Sequence, residues 1–395
     1  MKFLCDSKPF AYALNKCATL TSRSATYPFI RNVFIETIDD DVLKLTSTDM
    51  ATMITYYVTD GVQIEKSGKA LVDCGSLTAF VSAKAGEVNC YITKADRLMT
   101  KIGGNKLSLS QMPHEMFPEQ PKLPSETLAK ISGDNLQAVL SIAFMAEQFD
   151  PISFLTGTMV VASDGNLYAM AASQGRMGYA WIPTEYQGRG RFLLPKSAAE
   201  LLPHFLYDDD EVLLYSQDNK MFFVTERFRM SCNQLAGEFP YEKIAEMAHT
   251  EPSAEVWVAA DDLGDALKTA LVISKDVNNK LWKKITFNAD TDYNLLDLST
   301  AEENEVGYMN WSVVIKSHTN ISFTFGLFST FVYDVLKAIK LADKSGLATD
   351  LLMTPTISIG YIEHGANKLI RIAEKHTNAV FIVAPMGQVE VRDND

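Results

Sequence analysis

The chain contains no run of eighteen apolar residues, so the sequence offers no helix to span a bilayer. Its first residues (Met1-Lys2-Phe3-Leu4-Cys5-Asp6-Ser7) turn polar too soon for a secretory signal. A cytoplasmic location is expected. Cysteine is scarce: Cys5, Cys17, Cys74, Cys90 and Cys232 are an odd number without metal-like spacing, and reduced thiols are expected. Six histidines (His114, His204, His249, His318, His364, His376) are scattered, none in H-E-x-x-H spacing or near a cysteine pair. The G-x-S-x-G elbow is missing. Gly188-Arg189-Gly190 lacks the Gly-Lys-Ser/Thr that would make it a phosphate loop. A Ser-His-Asp triad assembles in space and stays open on sequence alone. With no catalytic constellation in view, no enzymatic activity, metal or cofactor is expected.

Positive charge is also in deficit. Lys and Arg total 36 against 49 Asp and Glu, a formal net charge of -13. That argues against a uniformly basic surface for a polyanion, though not against a segregated basic face. The acidic runs Asp39-Asp40-Asp41, Asp208-Asp209-Asp210-Glu211 and Glu302-Glu303 fall where turns are expected, which predicts a solvated outer surface.

What the chain does have is repetition. Phe10 and Leu14 sit in a helix-like run, the run at 134–140 has the same shape with Leu136 lying 126 residues after Phe10, and Leu263 opens a third copy 127 residues later. A period this long means repeated domains, since solenoid units repeat every ~20–50 residues. At 395 residues with 47% hydrophobic content, each third can bury its own core. Each third reads as helix, strands, helix, strands. In the first, β-rich stretches at 32–37 and 42–47 precede a helix at 76–81 and strands at 88–92, 97–100 and 106–109. Gly103-Gly104-Asn105 reads as a hairpin turn. In the second, strands at 157–161 and 167–170 precede a helix over 196–205 that Pro203 should kink or shorten. In the third, a helix spans 329–341 and closing strands lie at 356–359, 368–372 and 380–383. The pairs Phe117-Pro118 and Phe239-Pro240 are 122 residues apart, each followed by a polar segment that reads as a linker. Boundaries near 123 and 250 follow, giving domains 1–123, 124–250 and 251–395, the last with a short acidic tail. Strand runs outnumber short amphipathic helices, which predicts an α+β class with a sheet layer carrying two helices on one face.

The stretch Tyr27-Pro28-Phe29-Ile30-Arg31-Asn32-Val33 followed by Leu45-Thr46-Ser47-Thr48-Asp49-Met50 resembles the bacterial sliding clamp family, the β subunits of DNA polymerase III. So do residues 107–113, Gly237-Glu238-Phe239-Pro240 and the closing Val383-Ala384-Pro385-Met386. Many weak matches arrive in the right order and spacing up to about Val389. The resemblance implies three similar domains of the DNA-clamp fold, two subunits joined head to tail, sheets outside and helices facing a central hole that holds duplex DNA. The helices would carry dispersed cations that meet phosphate without reading bases: Lys8, Lys16, Arg23, Lys196, Lys268, Lys275, Lys337, Lys340 and Lys344. Arg23, Gln148 and Lys196 match positions of the family that touch DNA.

The same resemblance implies an apolar cleft that takes polymerase and clamp-loader peptides. Its matching positions are Leu155, Arg176, Met177, Pro240, Lys243 and Ile244, with Phe328, Phe331, Ile357, Ile359, Ile382, Pro385 and Met386 from the third domain. Departures from the family occur at Ala172-Ser173-Gln174-Gly175-Arg176-Met177, at Phe328 and in the tail 387–395. The subunit interface would set Lys106 and Leu107 against Val272, Ile273, Glu302 and Glu303, closing head-to-tail contacts into a ring. The expected function is that of a homodimeric polymerase processivity factor. The alternative is a clamp-like regulator that binds polymerase peptides without closing a ring.

Overall fold

The computed structural model describes residues 1–21, 27–39, 41–185, 188–274, 284–300, 307–342, 356–374 and 378–393. They form two compact units, one of residues 1–130 with 210–234, the other of 131–209 with 235–395.

In unit one, helix α1 (Ser7–Ala18) buries Phe10, Ala13, Leu14 and Cys17, the three- and four-residue spacing that puts one stripe toward a core. Helix α2 (Cys74–Ser82) buries Cys74, Leu77, Thr78 and Val81 by the same spacing. Its first turn is held by Asp73, whose carboxylate accepts the Ser76 N–H at 2.8 Å. The two helices pack on each other, and α1 also packs on the strands Val42–Thr48 and Thr52–Val58. One sheet runs Gln63–Lys66, Lys2–Asp6, Glu87–Ile92, Arg97–Ile102, Asn105–Ser110. The other includes, in order, Glu211–Gln217, Lys220–Val224, Phe228–Asn233, Thr52–Val58, Val42–Thr48, Asn32–Ile38 and Lys69–Asp73. The hairpin expected at Gly103 is present: a two-residue turn joins Arg97–Ile102 to Asn105–Ser110, with Gly103 at φ +56°.

In unit two, α3 (Gly133–Leu140) continues into a 3-10 turn at Ser141–Met145. Helix α4 (Lys196–Leu201) gives way to a 3-10 turn at Leu202–Phe205, because Pro203 has no N–H to extend the ladder. Three more helices follow: α5 (Tyr241–Ala248), α6 (Ala260–Ser274) and α7 (Ser329–Ala342). The expected linker after Pro240 is therefore in part a helix. Its polar composition is the solvent face of α5, while Ile244 and Ala248 are buried.

The sheet of unit two runs Gly190–Pro195, Gly157–Ser163, Asn166–Ser173, Arg176–Pro183, Ala379–Val383, Asn367–Glu374, Thr356–His364 and Ala254–Ala259. It continues through Asn310–Ser317, Leu295–Thr300, Lys284–Asp290, Ile321–Phe328 and Glu390–Asp393. The acidic tail is thus partly a strand, with Arg392 between Asp290 and Asp292 at 3.5 Å each.

One pairing recurs. Phe228–Asn233 lies antiparallel to Thr52–Val58, from Phe228↔Tyr56 to Cys232↔Thr52. Ala379–Val383 lies antiparallel to Arg176–Pro183, from Arg176↔Val383 to Ala180↔Ala379. In each case the closing strand of one repeat adds to a sheet of the repeat before it. The closing strand of the first repeat, Asn105–Ser110, is a sheet edge. So is most of Asn310–Ser317, which meets Ala254–Ala259 only through Ile315, Lys316 and Ser317.

All five cysteines are buried and free. Burial is the leading cause that pushes every thiol up, Cys74 to about 11 and Cys90 and Cys232 to about 12. The expected outcome is that native protein at pH 8 is not labelled by a thiol reagent on the timescale that labels free cysteine, whereas denaturant exposes all five. Mass spectrometry of the labelled chain checks this.

Candidate functional site

The seam between Arg176–Pro183 and Ala379–Val383 carries a two-part groove. The first part is an apolar cavity of about 320 Å³ lined by Leu155, Arg176, Met177, Pro240, Ile244 and Ile382, with Phe154, Met247, Leu369 and Ala384 completing its walls. The second, of about 340 Å³, is lined by Arg176, Phe328, Phe331 and Met386, with Glu147 and Asp334. Ser173, Gly175, Arg176 and Ala384 border both.

Local geometry sets each wall. Leu155 stands on the 3-10 turn Ser153–Thr156, whose position is tied by the Glu147 N–H donating to the Leu155 carbonyl at 2.7 Å. Met177 faces Ile382 across the seam. The end of the seam is closed by the Ala384 N–H donating to the Gly175 carbonyl at 2.7 Å. Pro240 precedes α5 and breaks the extended chain, so that the helix brings Ile244 and Met247 to the cavity. Phe239 anchors this corner: it is buried, and Phe154 meets it edge-on at 6.0 Å. The Met386 N–H donates to the Gly326 carbonyl at 2.7 Å, holding the far end. Gly178 sits where a Cβ would lie 3.0 Å from Ile142 and Met145, so the seam strand lies close to the 3-10 turn Ser141–Met145.

The charge in the groove is sparse. Arg176 directs Nε to Ser173 Oγ at 3.1 Å. Asp334 lies 3.5 Å from Lys337 on the same helix. The first part is an apolar wall with one cation at its border, and the second combines two aromatic rings with two carboxylates. Such a groove can seat apolar side chains of an extended segment.

Nine of the thirteen cleft residues expected from the sequence line this groove. Ile357 and Ile359 are in the core, 0% and 1% exposed, and line neither part. Lys243 is exposed on α5, and Pro385 is half-buried without lining either part. Sequence reasoning missed Phe154, Met247 and Leu369. Met247 carries a usable signal, standing three residues after Ile244 on one helix face.

The expected DNA-contact residues are placed separately. Arg23, Lys275 and Lys344 lie outside the described residues, and Lys340 lies within α7. Gln148 is exposed. Lys196 is mostly buried, its Nζ donating to the Ala146 carbonyl at 2.7 Å and standing 3.7 Å from Glu200. Lys268 pairs with Asp265 at 2.8 Å, and that hydrogen bond holds its ammonium above its ordinary range. Lys337 lies 4.4 Å from the Tyr333 ring centre. On α1, Lys8 is exposed and Lys16 lies 4.8 Å from the Tyr12 ring centre, with burial pulling its ammonium down.

Of the expected interface, Lys106 and Leu107 lie on the edge strand Asn105–Ser110. Val272 is 75% exposed and Ile273 half-buried at the end of α6. Glu302 and Glu303 lie outside the described residues. Trp311 and Val314, on the open edge of Asn310–Ser317, are 39% and 71% exposed. No group of three or more metal-ligating side chains occurs among the described residues, and no helix among them is long and apolar enough to cross a membrane.

No protein-family model matches the chain. It is 21% identical over 287 residues to the beta sliding clamp of Chlamydia pneumoniae, covering 71% of this chain and 76% of that protein. To the beta sliding clamp of Vibrio cholerae it is 17% identical over 279 residues, 70% and 75% of the two chains. Its fold matches the β subunit of DNA polymerase from Streptococcus pyogenes at a TM-score of 0.81 and 19% identity, covering 98% of this chain and 100% of that one. The sliding clamp of Bacillus subtilis matches at 0.81 and 16%, covering 98% and 99%. A clamp from Pseudomonas aeruginosa bound to griselimycin matches at 0.80 and 19%, covering 98% and 99%. In fold the chain is similar to bacterial sliding clamps, and in sequence it is similar, at 17–21% identity, to two of them.

Proposed function

We propose that the protein is a DNA polymerase processivity factor: a non-catalytic homodimeric ring of three clamp domains per chain (1–123, 124–250, 251–395) that encircles duplex DNA and tethers a polymerase. The observation that carries this reading is the recurring strand pairing. Two closing strands find a partner sheet within the chain. The third, Asn105–Ser110, and the open part of Asn310–Ser317 are the unmatched members of the same scheme. A second copy supplies both, since each chain offers one of each. The contact is head to tail, so two such contacts close a ring. Leu107 of one copy would then meet Val314 and Trp311 of the other, and exposed apolar groups on an open edge favour that union. The names of the sequence relatives and structural neighbours support the same reading.

Within the ring, DNA is held by dispersed helix cations rather than by base readout. Lys8, Lys16, Lys268 and Lys337 supply them among the described residues, with Gln148 as a polar contact and Arg23, Lys275 and Lys340 as further candidates. Lys196, already donating to Ala146, acts chiefly by holding the turn before Gln148. The groove in unit two receives polymerase and clamp-loader peptides. Cytoplasmic residence follows from that role.

Sedimentation at micromolar concentration is expected to give about twice the chain mass of 43.8 kDa. Leu107→Glu with Val314→Glu should yield monomer, since Val314, 71% exposed in one chain, loses up to roughly 1.5–3 kcal/mol of apolar burial, half-buried Leu107 loses less, and both place a charge in the contact. Wild-type protein loaded on nicked circular DNA should remain bound and depart when the circle is cut; the double variant should be lost from both. Wild-type monomer that still binds polymerase peptide would favour the regulator reading.

For the groove, Phe154→Ala with Met247→Ala should weaken binding of a fluorescent peptide from the cognate polymerase by about tenfold or more. Both side chains are only partly buried, so dimer mass should be unchanged. Anisotropy titration and sedimentation of the same samples check this, and undiminished affinity would remove the groove from the proposal.

A further inference from the structure

The groove in unit two has a counterpart in unit one, built on the same register. Met53 faces Ser231 there, as Met177 faces Ile382. The Asn233 N–H donates to the Ala51 carbonyl at 2.9 Å, as the Ala384 N–H does to the Gly175 carbonyl. One strand further on, Lys220 pairs with Asn233, which sets Lys220 at the position Leu369 holds in unit two. Pro118 follows Phe117 as Pro240 follows Phe239. Met53, Ser231, Lys220 and Pro118 all line one cavity of about 420 Å³, and their four counterparts all line the apolar cavity of unit two.

The backbone frame is therefore shared while two walls differ in chemistry. Ser231 stands for Ile382 and Lys220 for Leu369. Lys220 directs its ammonium to the neutral side-chain oxygen of Asn233. A second cation, Lys122, is exposed at the border. Neither lysine forms an ion pair with a described residue. Glu119 is the one acidic residue of the lining. Asp49, on the adjoining turn, has its carboxylate turned to the N–H groups of Ala51 and Thr52. Met50, half exposed, and Met53 keep an apolar floor.

We propose that this cavity is a second groove for an extended partner peptide, and that its occupant places a carboxylate where the occupant of the first groove places an apolar side chain. The inference rests on the unit-two groove being a peptide cleft. A peptide with alternating leucine and glutamate satisfies both needs: apolar contact on Met50, Met53 and Pro118, and a carboxylate beside Lys220 and Lys122.

The test uses the full-length protein with methionine methyl groups labelled with carbon-13 for NMR. Met50 and Met53 report the unit-one groove; Met177 and Met247 report the unit-two groove. The probes are the capped pentapeptide Ala-Leu-Glu-Leu-Ala and its analogue with lysine in place of glutamate. The expected result is saturable shifts of the Met50 and Met53 signals with the glutamate peptide and none with the lysine analogue. Lys220→Glu with Lys122→Glu should weaken the affinity read from those shifts roughly tenfold, about 1.4 kcal/mol, and leave Met177 and Met247 unaffected. Lys122→Glu alone, at an exposed position, should give part of the loss. Shifts confined to Met177 and Met247 overturn the second groove and leave the first standing. Equal response to both peptides overturns the charge assignment, and no shift at either set overturns both grooves.

Discussion

The fold depends on where unsatisfied strand edges find a partner. A β-strand at the rim of a sheet presents a row of N–H and C=O groups that must be paired, covered or tolerated as a hazard. This chain resolves the problem twice by adding a closing strand of one repeat to a sheet of another. Two further edges, Asn105–Ser110 and the first residues of Asn310–Ser317, stay open; the second turns Trp311 and Val314 to solvent, and the first carries half-buried Leu107 beside exposed Lys106. In the proposed dimer those two edges are what a second copy completes, and ring closure follows from a pairing rule the chain already obeys internally.

The same seams create the grooves. Adding a strand at a sheet edge leaves a recess where the hairpin before it turns, at Gln174-Gly175 in one unit and Met50-Ala51 in the other. A proline after a buried phenylalanine bounds each recess. Hydrogen bonds along the backbone fix the shape, so side chains on the walls can change without disturbing it. Leu369 and Lys220 occupy equivalent positions with opposite chemistry, and a duplicated frame can thereby present different surfaces.

How much could be read in advance differs by level. Helices α1, α2 and α7 were legible because their apolar residues recur at three- and four-residue spacing, and the Gly103-Gly104 turn and the break at Pro203 follow from single-residue chemistry. The strand Arg176–Pro183 escaped because both its faces are largely buried, which erases the alternation that reveals a strand. Helix α5 escaped because Glu242, Lys243 and Glu246 made it read as a linker. Glu390–Asp393 escaped because charged residues are what an edge strand carries. Within the groove, Leu155, Met177, Ile244, Ile382 and Met386 came from resemblance to a family, since a cavity assembled from distant segments has no period. Ile357 and Ile359 came with them, but their strand runs through the core, where both are enclosed.

The most direct test is amide hydrogen exchange of residues 105–110 and 310–314 in concentrated protein and after dilution below the dissociation point. If these edges pair across two copies, the outward-facing amides of both segments are protected together when concentrated and lose protection together on dilution, while the amides bonded to Arg97–Ile102 and Leu295–Thr300, and those of Thr52–Val58 and Arg176–Pro183, stay protected throughout. Fast exchange of those outward-facing amides at every concentration, in protein that remains folded, would contradict the account.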